Sequence, residues 1–224
     1  MYLTWAEKTI TDFSEANIET WYEQGFLFTR VAKGIMKQTR SVRIDLNKFA
    51  VSSENRRMLR KTENLKLDIH TLPYSEYEWT IGKLGKDFYD TKFGDKTFSA
   101  NKIKELMTDP GKSNFNTLFR YSLTNQSIGY CVAYQSKNIL HYCYPFYNLE
   151  KSSKDTGLGM MIRAVIWAKE QNNKYLYLGS AQRPGDTYKF QFNGIEWFDG
   201  KKWNGDIAEI KTLLQNIPED QSTD

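Results

Sequence analysis

Three apolar, strand-like segments follow one another between residues 117 and 147, and they limit the possible folds more than any other feature of the sequence. They cover residues 117–123, 128–135 and 139–147, and the polar residues 124–127 are typical of a hairpin connection. A helix with one apolar stripe is predicted over residues 157–171, followed by a buried strand over 175–178. Asp199-Gly200 lies between apolar runs and predicts a terminal hairpin. This order of elements predicts an α+β fold with a mixed, mostly antiparallel sheet and helices on both faces.

The first half of the chain shows shorter periodic segments. We expect a helix near residues 11–22, strands at 26–31, 40–46 and 66–72, and helices at 54–64 and 99–108. Ser52-Ser53 is a helix N-cap signal for the second of these helices. Residues 80–94 are rich in Gly, Lys and Asp, and we expect them to connect two halves. The predicted domains are therefore a smaller basic α/β region at 1–92, a larger domain with the mixed sheet at 93–217 and a frayed tail at 218–224.

Composition narrows the class of protein. With 40% hydrophobic and 15% aromatic residues, the chain can bury a core. No apolar run reaches about 18 residues, so we expect no membrane span. Residues 1–20 carry four acidic side chains and do not resemble a signal peptide. Cys131 and Cys143 lie in apolar strand runs and are expected to be buried free thiols, so we expect a cytoplasmic location.

Positive charge is concentrated in one segment. Residues 30–66 contain 11 Lys/Arg and three Asp/Glu, an excess of eight positive charges in a chain whose net charge is +4. On a helix over 54–64, Arg56 stacks on Arg60 and Arg57 stacks on Lys61, because residues four apart share a face. Such cations repel one another, so they need either solvent or an anionic partner. A solvated helix face is one interpretation, and binding of a polyanion or an acidic peptide is the other.

A glycine-containing loop opens the helix that follows the third strand. Its sequence is Lys154-Asp155-Thr156-Gly157-Leu158-Gly159. Glycines allow a ligand to approach the backbone, and free N–H groups at a helix start bind anions. The loop resembles the Arg/Gln-x-x-Gly-x-Gly/Ala loop with which GNAT enzymes hold the pyrophosphate of coenzyme A, with Lys154 at the Arg/Gln position. An ordinary loop before a helix is the alternative.

Short motifs in a fixed order carry a second resemblance. In the C-terminal half they are Tyr144, Phe146, Tyr147, Leu158-Gly159, Tyr177-Leu178-Gly179, Tyr188-Lys189, Phe192, Glu196 and Trp203. In the N-terminal half they are Thr29-Arg30-Val31, Arg43-Ile44, Phe49, Ser52/Ser53 and Arg56-Arg57-Met58-Leu59-Arg60-Lys61. Together they resemble the aminoacyl-tRNA–protein transferases, the arginyl and bacterial leucyl enzymes. The resemblance covers about residues 20–205 and depends on the shared order of many motifs.

The resemblance implies a GNAT-like fold and transfer of an amino acid of Arg or Leu type from a charged tRNA. The acceptor would be the N-terminal α-amino group of a protein or peptide, in particular one that begins with an acidic residue, as in N-degron tagging. The tRNA ester is already activated, so neither a cofactor, a metal nor an enzyme nucleophile is expected. The only histidines, His70 and His141, lie in apolar strand runs and are expected to be structural.

Site residues follow from the same resemblance. Backbone N–H groups near Tyr147 or Gly179 are candidates for stabilising the oxyanion. The candidate catalytic residues are Tyr147, Asp186, Tyr188 and Glu196. The candidate substrate-binding residues are Arg43, Arg56, Arg57, Arg60, Lys61, Tyr144, Lys154, Gly157, Gly159, Gly179 and Lys189.

The sequence also departs from the family pattern. Lys33 and Met36 stand where the family has cysteines, so redox control through that site is expected to be absent. Asn148 replaces an aspartate, and residues 180–187 form a shorter segment that lacks an aromatic pair. Two alternatives stay open: an acyl-CoA-dependent GNAT N-acyltransferase, and a non-catalytic RNA-binding or adaptor protein. The oligomeric state is left open.

Overall fold

The computed structural model describes residues 3–217. It divides into two compact units that alternate along the chain. Of the described residues, the first unit contains 3–50, 136–141 and 172–217, and the second contains 51–135 and 142–171.

The first unit holds two groups of strands. Its elements are β1 (Ala6–Thr9), α1 (Glu15–Glu23), β2 (Phe26–Phe28), β3 (Ile35–Gln38), β4 (Ser41–Asp45), the start of β8 (Ile139–Tyr147), β9 (Tyr175–Ser180), a 3-10 helix (Pro184–Gln191), β10 (Ile195–Phe198), β11 (Trp203–Asn204) and α6 (Ile207–Gln215). One sheet has the order β1-β3-β2, and the other runs β11-β10-β4-β9-β8. In the second of these sheets, β8 and β9 pair in parallel, from Ile139 opposite Tyr175 to His141 opposite Tyr177. The pairings β10–β11, β10–β4 and β4–β9 are antiparallel.

The second unit combines four strands with four helices. Its elements are α2 (Ser53–Lys61), β5 (Lys66–Thr71), α3 (Trp79–Phe93), α4 (Ala100–Thr108), β6 (Thr117–Leu123), β7 (Gln126–Gln135), the rest of β8 and α5 (Thr156–Glu170). The strand order is β8-β7-β6-β5, and β6 pairs antiparallel with both β5 and β7. Met160, Ile162 and Val165 of α5 and Leu118 of β6 are fully buried, so the core lies between this helix and the sheet.

The predicted α+β class with a mixed, mostly antiparallel sheet is confirmed. The N-cap signal before α2 is confirmed in atomic detail: the hydroxyl of Ser52 accepts from the N–H of Asn55 at 3.1 Å, and the amide oxygen of Asn55 accepts from the N–H of Ser52 at 3.3 Å. Cys131 and Cys143 are buried free thiols, as expected.

The prediction that residues 80–94 form a connection was wrong, because α3 covers Trp79–Phe93. Two of its glycines serve packing. A Cβ on Gly82 would lie 2.4 Å from the hydroxyl of Tyr77, and a Cβ on Gly85 would lie 2.4 Å from Cδ1 of Ile103. Glycine therefore marks close approach here, and the Lys and Asp residues form i,i+4 ion pairs along the helix, Lys83–Asp87 and Lys86–Asp90. The domain boundary predicted at residue 92 falls inside this helix.

Besides α3, the sequence analysis did not predict four elements of the described residues: β1, β3, the 3-10 helix and α6. Asp206, a residue type that favours the N-cap position, is a sequence signal for the start of α6. Its carboxylate caps the helix by accepting from the N–H groups of Ala208 and Glu209. Ile210 and Leu214, four residues apart, form its buried side. The predicted frayed tail at 218–224 lies outside the described residues. Within residues 3–217, none of the helices combines the length and the apolarity that crossing a membrane requires.

His141 in the first unit has a structural environment. Its side chain is buried, and its Nδ1 lies 2.9 Å from the hydroxyl of Tyr22. Burial lowers the pKa of His141 to about 3, with a further contribution from the Lys189 ammonium. The imidazole is therefore neutral in the folded protein at every pH at which an unfolded histidine would begin to protonate.

This environment predicts a pH-dependent stability. Between pH 6.5 and pH 3 the unfolded chain binds a proton at His141 that the folded chain does not, so the free energy of unfolding should fall as pH falls. The expected slope is about 1.4 kcal/mol for each pH unit in that window. Denaturant titrations at several pH values should show this slope in the wild type and lose it in His141→Gln. His70→Gln is the matched control and should keep it; an unchanged slope in His141→Gln contradicts the prediction.

Candidate functional site

The predicted site residues fall into two clusters, one in each unit. The cluster in the second unit is built where the end of α2 meets the first turn of α5. Lys61 Nζ lies 3.2 Å from Asp155 Oδ2 in the loop that opens α5. A Cβ on Gly159 would lie 2.6 Å from Oγ1 of Thr62, the residue that caps α2. The fold therefore brings the basic helix and the glycine loop together.

The four cations of α2 are exposed but differ in their partners. Arg57 donates from Nε to Glu54 at 2.8 Å, and Lys61 pairs with Asp155. Arg56 donates to a neutral acceptor, the carbonyl of Val51, at 2.7 Å. Among the described residues the side chain of Arg60 has no hydrogen-bond or ion-pair partner. Arg56 and Arg60, four residues apart on one helix face, therefore carry uncompensated charge.

Arg163 joins the two helices, and sequence reasoning missed it. From Nη1 it donates to Oγ1 of Thr62 at 2.9 Å and to the carbonyl of Gly159 at 3.1 Å, and from Nη2 to the carbonyl of Thr62. All three acceptors are neutral, and partial burial lowers the pKa of the guanidinium. An arginine as the one charged residue in the apolar run of residues 160–168 is the signal that could have identified it.

Both loop glycines have an internal explanation. A Cβ on Gly157 would lie 3.0 Å from the hydroxyl of Tyr147, and a Cβ on Gly159 would meet three atoms of Thr62 within 3 Å. The N–H of Gly159 already donates to the carbonyl of Asp155 at 2.9 Å. Packing against protein atoms thus requires glycine at 159 and favours it at 157. Lys154 is exposed beside them.

Two predicted tyrosines lie at the end of β8, and Tyr147 adjoins this cluster through Gly157. The ring of Tyr147 packs against Phe88 of α3, with centroids 4.8 Å apart. Tyr144 adopts a φ of +48° and packs edge-on against Phe98 and Phe115. A positive φ in a bulky residue of a strand turns its side chain out of the regular alternation.

The cluster in the first unit is centred on Arg43, whose side chain is 4% exposed. Its Nε donates to Glu196 at 2.9 Å and its Nη1 to Glu23 at 2.8 Å. The guanidinium lies between two rings, 3.8 Å from the centroid of Tyr175 and 3.9 Å from that of Trp203. Both faces and two donor positions of Arg43 are thus occupied by the protein itself.

Lys189 and Asp186 form a second ion pair in this unit, at 3.1 Å. Asp186 Oδ2 also accepts from the N–H groups of Gln182 and Arg183, at 2.8 and 3.0 Å. Burial works to lower the pKa of Lys189, but Tyr188 and Asp186 raise it by more, so the ammonium stays charged.

Two further predicted residues in this unit are more open. Gly179 has a φ of +77°, and a Cβ there would meet no described heavy atom within 4 Å. The side chain of Tyr188 is 48% exposed. Among residues 3–217, no group of three His, Cys, Asp or Glu side chains is arranged to hold a metal ion.

Gly159→Ala tests the joint between α2 and α5, that is, the close packing of Gly159 against Thr62. In a helix, alanine ordinarily stabilises by about 0.5–1 kcal/mol relative to glycine. Here the added methyl overlaps the short, branched Thr62, so we expect destabilisation by about 1–3 kcal/mol. Thermal and denaturant unfolding measure it. Gly205→Ala is the control, since no described heavy atom lies within 4 Å of that Cβ; equal effects in the two variants would contradict the joint.

Arg43→Met tests the second cluster. Removing the guanidinium leaves Glu196 with only the exposed Lys48 as a charged partner, so we expect a loss of about 3 kcal/mol in the free energy of unfolding. The double variant Arg43→Met/Glu196→Gln should lose less than the sum of the two single variants. Strict additivity in this cycle would show that the two side chains do not stabilise each other.

Comparison with known solved structures finds similar chains of low identity. L-PGS from Bacillus licheniformis has a TM-score of 0.48 at 13% identity and covers 75% of this chain and 52% of its own. The C-terminal domain of a putative lysylphosphatidylglycerol synthetase from Agrobacterium fabrum has a TM-score of 0.47 at 12% identity, over 90% and 69%. A GCN5-related glucosamine N-acetyltransferase region of a fungal multi-domain GH3 β-N-acetylglucosaminidase has a TM-score of 0.47 at 9% identity, over 85% and 22%.

Sequence comparison gives relatives with one shared name. Aspartate/glutamate leucyltransferase of Saccharophagus degradans (strain 2-40) is 25% identical over 170 residues, 72% of this chain and 69% of that protein. The protein of the same name in Xanthomonas campestris pv. campestris (strain B100) is 28% identical over 72 residues, 31% of this chain and 29% of that protein. No family model matches the chain. The resemblance seen in the motifs is confirmed: at modest identity, the chain is similar to bacterial proteins named aspartate/glutamate leucyltransferase.

Proposed function

We propose that this protein transfers leucine from leucyl-tRNA to the α-amino group of proteins that begin with Asp or Glu. The observation that carries the proposal is the relationship to an aspartate/glutamate leucyltransferase over 69% of that protein's length. The relationship makes the chain an aminoacyltransferase, and the choice of leucine and of acidic acceptors is the finer part of the proposal.

The arrangement of α2 supports a polyanionic donor. Arg56 and Arg60 lack carboxylate partners among the described residues and share one exposed helix face. The Arg163 joint and the Lys61–Asp155 pair hold that helix against the first turn of α5. A phosphate chain along this face would gain charge-assisted hydrogen bonds without breaking an ion pair of the protein.

For aminoacyl transfer, the main task of the protein is to position the ester and the amine for reaction. The donor ester is activated, and an α-amino group with an ordinary pKa of about 7.7–8.0 has a usable neutral fraction near pH 7. Positioning and stabilisation of the oxyanion remain, and we propose backbone N–H groups near Tyr147 or Gly179 for the latter. Asp186 and Glu196 are paired with Lys189 and Arg43, so the half-exposed Tyr188 hydroxyl is the proton-relay candidate that a substrate reaches.

The acyl-CoA alternative rested on the glycine loop. Because Tyr147 and Thr62 occupy the space next to Gly157 and Gly159, those glycines are accounted for without a bound pyrophosphate. We therefore propose aminoacyl-tRNA as the donor.

An activity assay tests the proposal directly. The protein is incubated with a mixture of labelled aminoacyl-tRNAs and with peptides that begin with Asp, Glu, Lys or Arg. Label should move from leucyl-tRNA to the Asp and Glu peptides. If no amino acid moves, while coenzyme A raises the unfolding temperature of the protein, the acyl-CoA alternative is favoured and the proposal fails.

Charge removal on α2 should weaken tRNA binding in a salt-dependent way. In Arg56→Ala/Arg60→Ala we expect lower affinity for charged tRNA, whatever the tRNA sequence. The plot of the logarithm of the association constant against log[salt] should also be flatter. Each lost phosphate pairing should reduce the slope by about 0.7–0.9. Fluorescence anisotropy at several salt concentrations measures both quantities.

The matched control removes two positive charges elsewhere. Lys104→Ala/Lys211→Ala changes exposed lysines of α4 and α6 and lowers the net charge by the same amount. It should keep the wild-type slope. If both double variants flatten the plot equally, net charge rather than the α2 face determines binding.

A further inference from the structure

A recess in the second unit lies beside the end of β8. It has a volume of about 340 Å³ and is walled by the first turns of α3, the start of β7 and the loop that follows β8. Asn148, which lines it, directly follows Tyr147 in the chain. The exposed cations of α2 are not among its lining residues.

The walls of this recess are partly apolar. Ile81 and Tyr130 line it with buried side chains, and Leu84 is half-buried. Such walls suit the methylene groups and backbone of a short peptide end. A phosphodiester chain, which is ionic along its whole length, would lose hydration against these side chains without recovering it.

Its charged lining consists of Lys83, Asp87 and Lys151, so one cation is left without a carboxylate partner. Within the described part of the chain, Lys151 Nζ has a neutral partner, Oε1 of Gln126 at 3.2 Å, whereas Lys83 is paired with Asp87. The side-chain oxygen of Asn148 accepts from the N–H groups of Glu150 and Lys151, both at 2.9 Å. The Asn148 amide therefore presents its N–H₂ end as a donor.

We infer that this recess binds the acidic side chain of the acceptor's N-terminal residue, with Lys151 as its ion-pair partner and Asn148 as a hydrogen-bond donor. The inference rests on the proposed function and assigns the acceptor subsite within it. An exposed lysine whose only partner is a neutral amide can pair with a substrate without losing an ion pair of its own.

Charge reversal at Lys151 tests the subsite. Peptides beginning with Asp or with Lys are offered to the wild type, Lys151→Gln and Lys151→Glu. We measure their binding by anisotropy without tRNA, and kcat/KM with charged tRNA. The wild type should prefer the Asp peptide, Lys151→Gln should lose about fivefold of this preference, and Lys151→Glu should reverse it. Lys104→Glu, the same change on α4 outside the recess, should behave as the wild type. Circular dichroism checks that each variant is folded.

The outcomes separate the subsite from the reaction. If the wild type transfers leucine but Lys151→Glu keeps the preference for the Asp peptide, the subsite is wrong and the proposed function stands. If no amino acid is transferred but the Asp peptide binds in a Lys151-dependent way, the subsite stands and the proposed function fails. If Lys151→Glu weakens tRNA binding and leaves peptide preference unchanged, Lys151 serves RNA and the inference is overturned.

Discussion

The hydrogen bonds of Arg163 determine where the basic helix lies. They connect the carbonyl and hydroxyl of Thr62, at the end of α2, with the carbonyl of Gly159, in the first turn of α5. Glycine at 159 lets Thr62 approach closely, so the donors reach all three acceptors. Because every acceptor is neutral, no carboxylate cancels the charge of the guanidinium at this contact. Arg163 thus holds α2 against α5 without using an ion pair.

Arg43 in the first unit, unlike Arg163, is a buried cation with carboxylate partners. Arg43 is surrounded by two carboxylates and two aromatic rings, so its charge is cancelled before it could act at a distance. Burying an arginine without such partners would cost several kcal/mol, which explains why Glu23 and Glu196 accompany it. This packing role by itself accounts for the arginine at position 43, and substrate binding by Arg43 stays a prediction.

Sequence reasoning worked where a local rule determines the structure. The cap at Ser52, the hairpin at Asp199-Gly200 and the apolar stripe of α5 each depend on residues close in the chain, and each was predicted. It failed at α3, where Gly82 and Gly85 are required by Tyr77 and Ile103, neighbours that a local pattern does not reveal. The site shows the same division. The cations of α2 were recognised from their spacing, but the partners of Arg43 lie 20 and 153 residues away, and Arg163 acts 101 residues from Thr62.

Folding also changes what the charge excess of residues 30–66 means. Several of its cations are neutralised by acids from outside the segment: Lys37 by Glu7, Arg43 by Glu23 and Glu196, and Lys61 by Asp155. A polyanion would therefore meet a much smaller positive surface than the count of eight suggests. What remains on α2 is the pair Arg56 and Arg60, placed on one face by their spacing and held beside α5 by Arg163. Because solution ions screen charges beyond about 8–10 Å, this compact pair matters more for binding than the charge of the whole segment.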